Sequence, residues 1–124
     1  MEEAARPSSF FVVIAYCVDP DKIEEHDRTY EAIYEYYRRN CKEIRSARIY
    51  AQHYGSLIPG GRTGKLEILE FDSMEARARY LEGVKVNYPE LPKMWAAWRG
   101  TTVPGSIQIH AFGDHGRHAW VGPG

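Results

Sequence analysis

Among the 124 residues of this chain, His110, Arg48 and Tyr50 are our candidates for acid–base chemistry. Histidine exchanges its ring proton near neutral pH, so His110 can act as an acid or as a base. The guanidinium of Arg48 carries a fork of donors that matches an oxyanion or a carboxylate. The hydroxyl of Tyr50 can donate to a phenolate or enolate oxygen. We predict that these three residues are catalytic.

A second set of polar and aromatic side chains is expected to bind the substrate beside them. Arg48, Tyr50 and Gln52 alternate with apolar residues and share one face of a predicted strand, as Gln108 and His110 do in another. The predicted substrate-binding residues are Tyr16, Gln52, Glu67, Gln108, Trp95 and Trp98. Two interpretations stay open. An apolar pocket with a few convergent polar groups is typical of a small-molecule site, whereas the same groups can also form a hydrogen-bond network that joins two subunits.

The two tryptophans of this set lie three residues apart on one stripe of a short amphipathic segment. An indole ring typically buries about 150–250 Å², so Trp95 and Trp98 either pack in a core or subunit contact or line the entrance of a pocket. Pro89 and Pro92 interrupt the helical pattern just before them. This interruption would allow the segment to act as a lid.

Six main elements, in the order β-α-β-β-α-β, are predicted to position these residues. Residues 9–18, 44–54, 65–71 and 106–112 are predicted strands. Asp19-Pro20 and Asp72-Ser73 signal the starts of two helices, and a short helix carries the tryptophans. The expected buried stripe of the second helix is Met74, Ala78 and Leu81, with Tyr80 and Val84 beside them. Right-handed crossovers turn this order into a ferredoxin-like α+β sandwich, with an antiparallel sheet and the helices on one face.

The first strand also predicts an assembly. Both of its faces are apolar, with Phe10 and Val12 on one and Phe11 and Val13 on the other, although the helices cover only one face of the sheet. An exposed apolar patch of that size usually marks an interface, and the two-fold homodimer is the commonest soluble oligomer. We therefore expect a second copy to pack sheet against sheet and close a dimeric α+β barrel, which leaves open whether dimers pair further.

Composition limits the other classes of function. The formal net charge of −1 gives no basic surface for nucleic acid, and no apolar run approaches the ~20 residues of a membrane span. Cys17 and Cys41 form no Cys-x-x-Cys pair, which is typical of reduced thiols in a cytoplasmic protein. Residues 1–8 are expected to be a disordered lead-in, residues 9–112 one domain and residues 113–124 a polar tail. His115 and His118 in that tail lack a third ligand, so no metal site is predicted.

Four segments resemble the dimeric α+β barrel superfamily: FFVVIAYCVDPDKIEEH, RIYAQHYGS, LEILEFDSMEARARYLEG and YPELPKMWAAW. They are most similar to the antibiotic-biosynthesis-monooxygenase-like and NIPSNAP-like proteins, and the resemblance covers about residues 9–112. Members include cofactor-free oxygenases, haem-degrading oxygenases and isomerases, so the resemblance implies a fold rather than one reaction. The Asn-Trp-His pattern of the haem-degrading members does not align here, and no cofactor is expected.

Taken together, these features predict a homodimeric protein that binds an apolar or aromatic small molecule inside the barrel. The leading hypothesis is a cofactor-independent monooxygenase or isomerase. The main alternative is a non-catalytic binding or interaction module of the same, NIPSNAP-like fold. An open cavity that reaches His110 would favour the enzyme, whereas an inner face with every polar group paired would favour the module.

Overall fold

The computed structural model describes residues 10–57 and 63–113, and within them it contains four strands and three helices. The strands are β1 (Phe10–Cys17), β2 (Ile44–Ala51), β3 (Gly64–Phe71) and β4 (Gln108–Gly113). The helices are α1 (Ile23–Asn40), α2 (Met74–Val86) and α3 (Leu91–Arg99), with a 3₁₀ turn at Pro20–Lys22 ahead of α1. This order confirms the predicted ferredoxin-like α+β fold. The predicted lead-in and the tail beyond Gly113 lie outside the described residues.

The sheet has the strand order β2-β3-β1-β4, and each neighbouring pair is antiparallel. β1 is a central strand, in which Val13 lies opposite Ile68 of β3 on one side and His110 of β4 on the other. The two β-α-β crossovers, through α1 and through α2, place both helices on the same face because such connections are right-handed. Among residues 10–57 and 63–113, the helices therefore cover one face of the sheet and leave the other, which we call the open face, uncovered.

The helical segment begins where the sequence predicts, as the 3₁₀ turn that leads into α1. The Asp19 carboxylate accepts a hydrogen bond from the backbone N–H of Asp21 at 2.9 Å, and Pro20 occupies a position where its missing N–H costs nothing. The helix turns His26, Tyr30, Ile33 and Tyr37 towards the sheet and buries all four. Their spacing of four, three and four residues is the period of one helical face.

α2 contacts the core through a different face from the predicted one. Ser73 caps it by accepting from the N–H of Ala76 at 3.0 Å, and the buried residues are Ala76, Tyr80 and Gly83. Met74 is 62% exposed and Leu81 40% exposed, so the prediction of a buried Met74–Ala78–Leu81 stripe is wrong. The helix packs through Tyr80, which was expected beside that stripe, and through two small residues, Ala76 and Gly83.

A network of hydrogen bonds fixes the end of α3 to the end of β1. The N–H of Asp19 donates to Thr101 O at 2.8 Å, and the N–H of Val103 donates to Cys17 O at 2.8 Å. The N–H of Cys17 also donates to the Ser106 hydroxyl at 3.1 Å. Because these bonds hold the chain on both sides of β1's end, α3 lies over the sheet with Trp98 facing the core.

Alternation along the strands separates two surfaces. The helix-covered face carries Val12, Ile14, Tyr16, Ala47, Ile49, Glu67, Leu69 and Phe71. The open face carries Phe11, Val13, Arg48, Tyr50, Leu66, Ile68, Gln108, His110 and Phe112. Tyr16 and Glu67 were expected on the face of Arg48, and the structure places both on the opposite, helix-covered face. β1 is apolar on both faces, so its pattern does not show which face a tyrosine joins.

Candidate small-molecule site

A cavity of about 230 Å³ lies between the helices and the covered face of the sheet. Its lining is mostly apolar and aromatic, with three charged residues: Val12, Ile14, Tyr30, Ile33, Tyr37, Glu67, Leu69, Phe71, Arg77, Tyr80, Leu81, Trp95, Trp98, Arg99 and Ile109. An apolar cavity of roughly 150 Å³ holds benzene. The space is therefore large enough for a molecule of one or two rings.

Glu67 is the acidic group of this cavity. It projects from the central part of β3 and is only 1% exposed. Burial raises its pKa to about 7, against an ordinary value of 4.5, and the nearby hydroxyls of Tyr30 and Tyr34 oppose part of that shift. A carboxyl group with a pKa near neutrality can accept and return a proton under physiological conditions. This is the group best suited to general-base chemistry in the cavity.

Several buried polar atoms around Glu67 lack a hydrogen-bond partner within the described residues. They are Oε2 of Glu67, the hydroxyls of Tyr34 and Tyr80, and Nε1 of Trp98. Glu67, Tyr80 and Trp98 all line the cavity. Buried polar groups in proteins are nearly always hydrogen-bonded, so these atoms are the expected attachment points of a polar ligand group or of water.

The two tryptophans predicted to bind substrate both reach this cavity. The Trp98 ring stands edge-on to Tyr16, with ring centroids 5.0 Å apart and an interplanar angle of 88°. Trp95 Nε1 donates to the hydroxyl of Tyr37 at 3.4 Å, which is long for a hydrogen bond. They therefore combine the two roles left open by the sequence, because they pack in the core and also form part of the cavity wall.

Tyr16 belongs to a chain of polar groups that runs from the core to the exposed Asp27 and that the sequence did not reveal. Its hydroxyl lies 2.7 Å from Nε2 of His26, and Nδ1 of His26 lies 3.1 Å from the Asp27 carboxylate. Burial lowers the pKa of His26 and raises the pKa of Tyr16. The imidazole is therefore neutral at neutral pH, with Nδ1–H donating to Asp27 and the Tyr16 hydroxyl donating to Nε2. The only sequence signal was a histidine on the buried stripe of α1.

The predicted catalytic residues lie outside this cavity. His110, Arg48 and Tyr50 are exposed on the open face, where His110 faces Val13 in β1 and Arg48 faces Ile68 in β3. Because adjacent strands are about 4.8 Å apart, three strand spacings separate His110 from Arg48 by roughly 14 Å. One protomer does not bring these two side chains together.

The two glutamines of the predicted site are also outside the cavity lining. Gln108 is exposed on the open face at the start of β4, opposite Ala15. Gln52 follows the end of β2, and its Nε2 donates to the carbonyl oxygen of Tyr54 at 2.9 Å. Of the nine predicted site residues, Glu67, Trp95 and Trp98 line the cavity, and Tyr16 packs directly behind Trp98.

Comparisons with solved structures identify the fold. A candidate antibiotic biosynthesis monooxygenase from Caulobacter crescentus aligns with a TM-score of 0.65 and 15% identity, over 90% of this chain and 93% of its own. A variant of SnoaB, a cofactor-independent oxygenase from Streptomyces nogalater, aligns with a TM-score of 0.62 and 12% identity, over 84% of this chain and 90% of its own. A NIPSNAP family protein of unknown function from Agrobacterium tumefaciens aligns with a TM-score of 0.61 and 13% identity, over 86% of this chain and 87% of its own.

Assemblies occur among proteins of this fold. A dimeric protein of unknown function with a ferredoxin-like fold, from Bacteroides fragilis, aligns with a TM-score of 0.58 and 15% identity, over 84% of this chain and 94% of its own. The sequence itself matches no protein-family model, and no characterised protein is recognisable as a relative from sequence alone. The chain thus has the fold shared by antibiotic-biosynthesis-monooxygenase-like and NIPSNAP structures, as the resemblance of its segments predicted.

Proposed function

We propose that this protein is a homodimeric small-molecule enzyme that removes a proton from an apolar or aromatic substrate in the helix-side cavity. Glu67 is the general base. The observation that carries this proposal is a single carboxyl group, 1% exposed, with an unpartnered oxygen and a pKa of about 7, inside an otherwise apolar and aromatic cavity. An apolar cavity that contains one carboxyl group with a shifted pKa is typical of active sites.

The reaction begins with transfer of an acidic C–H or O–H proton to the Glu67 carboxylate, which leaves an enolate or phenolate. The Tyr80 hydroxyl and Trp98 Nε1 form no hydrogen bond of good geometry within the described residues, although they interact with Tyr37 and Tyr16 respectively. Their polar hydrogens can donate to the new oxyanion. Return of the proton to a different carbon completes an isomerisation. Alternatively, dioxygen oxidises an activated CH₂ group. One oxygen atom of O₂ becomes the oxygen of the new carbonyl, and the other leaves as water with the two hydrogens of the CH₂ group. This second route needs no cofactor, and SnoaB, which has the same fold, is a cofactor-independent oxygenase.

The homodimer forms through the open face of the sheet. The two central strands present Phe11, Val13, Leu66 and Ile68 there, and a second copy would remove this apolar stripe from water. His110, Arg48 and Tyr50 flank the stripe on the outer strands. In this assembly they are interface residues, and their hydrogen bonds join the two sheets.

The proposal is tested by exchange of the α-protons of 2-tetralone, an apolar two-ring ketone, for deuterium in D₂O, followed by NMR. General-base catalysis typically contributes 10²–10⁴-fold, so Glu67→Gln should slow exchange by about 100-fold or more while tetralone still binds. In the wild type, exchange should rise with pH through about 7, as the Glu67 carboxylate forms.

Glu70→Gln is the matched control, because Glu70 lies on the same strand but on the open face, where it accepts from the Ser46 hydroxyl at 3.0 Å. It should leave exchange unchanged. Wild-type exchange that survives Glu67→Gln would remove Glu67 from the mechanism. Binding of tetralone without any exchange would support the non-catalytic binding module instead.

A further inference from the structure

The charges of the cavity are distributed unevenly along its depth. Glu67 is nearly inaccessible, whereas Arg77 from the first turns of α2 is half-buried and Arg99 at the end of α3 is exposed. These three are the charged residues of the lining. The acid is therefore the lining's buried charge, and the two arginines are its solvent-accessible charges.

The two arginines are separate from the acid and available to a ligand. The pKa of Glu67 is set by burial, Tyr30 and Tyr34, and neither guanidinium lowers it. In the described part of the chain, no ion pair includes Arg77 or Arg99, whereas Arg38, Arg39 and Arg45 each pair with a carboxylate. Two cations at the entrance of an apolar cavity create a field that attracts anions.

Arginine pairs in this setting recognise carboxylates and phosphates, because the guanidinium fork matches two oxygen atoms at once. The aromatic walls between the ends, which include Tyr37, Tyr80 and Trp95, fit flat rings. At about 230 Å³, the volume leaves room for one or two rings between the polar ends.

We infer that the substrate is a one- or two-ring aromatic acid, held at the cavity entrance by Arg77 and Arg99 through its anionic group, with its reactive C–H or O–H directed at Glu67. This inference rests on the proposed function and adds the class of substrate. Arg77 and Arg99 act as specificity-determining residues: they select the anion and set which end of the ring system enters first.

The test compares 2-naphthoate with 2-naphthamide, which has the same shape and no charge, by isothermal titration calorimetry. The wild type should bind 2-naphthoate about tenfold more tightly or better, as expected for a charge-assisted hydrogen bond. Added salt should reduce this ratio, because the arginines are partly in contact with solvent. Arg77→Gln and Arg99→Gln should each bring the ratio towards one without changing the affinity for 2-naphthamide.

Arg79→Gln is the matched control, since Arg79 is exposed on the same helix and does not line the cavity. It should keep the wild-type ratio. Equal binding of the two probes by the wild type, or a ratio unchanged by both cavity variants, would overturn the inference and leave the cavity function standing. Failure of both probes to bind would contradict the cavity function itself.

Discussion

Glu67 is an acid that the surrounding core keeps away from water, and this has an energetic consequence. Its pKa is about 7 in the folded protein, against an ordinary value of 4.5. The folded state therefore binds this proton more tightly than the unfolded state does, so stability falls as pH rises from about 4.5 and reaches its lower level above about 7. A shift of that size corresponds to about 3 kcal/mol.

Glu67→Gln should remove this penalty, because glutamine keeps the shape of the side chain and does not ionise. At pH 8 the variant should be more stable than the wild type by up to about 3 kcal/mol, and the gain should shrink towards pH 5. Urea denaturation at several pH values measures the difference. A gain independent of pH, or a loss at pH 8, would show that the carboxyl is not destabilised by burial.

Single residues were also where sequence reasoning was least complete. Glu67 and Tyr16 were predicted as site residues, but β3 and β1 each gave an ambiguous pattern, so the face of the sheet on which they lie could not be assigned. His26 was not among the predicted site residues, and its bond to Tyr16 joins residues on two elements. Contacts of this kind depend on how α1 sits over the sheet, which hydrophobic periodicity does not determine.

Among the elements, strands and helices followed the sequence closely, and the orientation of α2 did not. The bounds of all four strands, predicted from runs of β-branched and aromatic residues, lie within a few residues of those in the structure. The Asp19-Pro20 and Ser73 signals marked two helix starts. α2 has weak amphipathicity, so its large apolar residues do not indicate which face is buried. Gly83 lies on the buried face and allows the helix to pack closely there, because a Cβ atom at this position would lie 2.7 Å from Cε2 of Tyr88.

Gly83→Ala should therefore destabilise the protein, although alanine is normally the better helix former. The helix gains about 1 kcal/mol from alanine, whereas forcing a methyl group against a packed ring costs about 1–3 kcal/mol. Tyr88 is buried and donates to Glu43 at 2.8 Å, so its ring cannot move away easily. We expect a net loss of about 1 kcal/mol in urea denaturation.

Tyr88→Ala provides the matched background for that measurement. With the ring removed, Gly83→Ala should become stabilising, and the difference between the two backgrounds gives the coupling between the sites. If Gly83→Ala were neutral or stabilising in the wild type, the close approach of α2 to Tyr88 would not be the reason for glycine at this position.

For the whole molecule, the decisive property is what covers the open face. Phe112 is 55% exposed in one protomer and lies beside His110 on that face, with ring centroids 6.4 Å apart. The wild type should sediment at about twice the 14.3 kDa of the chain. Phe112→Glu should shift it to the monomer, because the substitution places a charge inside the apolar contact and costs the isolated subunit little.

Val86→Glu is the control for added charge, since Val86 is 76% exposed on α2, away from the open face. It should leave the dimer intact. A wild-type protein that sediments as a single 14.3 kDa particle would exclude the homodimer. The cavity and Glu67 would remain, because every residue that lines the cavity belongs to one protomer.

Neighbouring residues of β1 face two different surroundings. Val12 and Ile14 line the cavity, while Val13 between them points to the other side of the sheet. Substitutions at alternate positions could thus change the molecules that the cavity accepts and leave the opposite surface of the sheet as it is. Proteins with such a division can diversify in chemistry and keep one architecture.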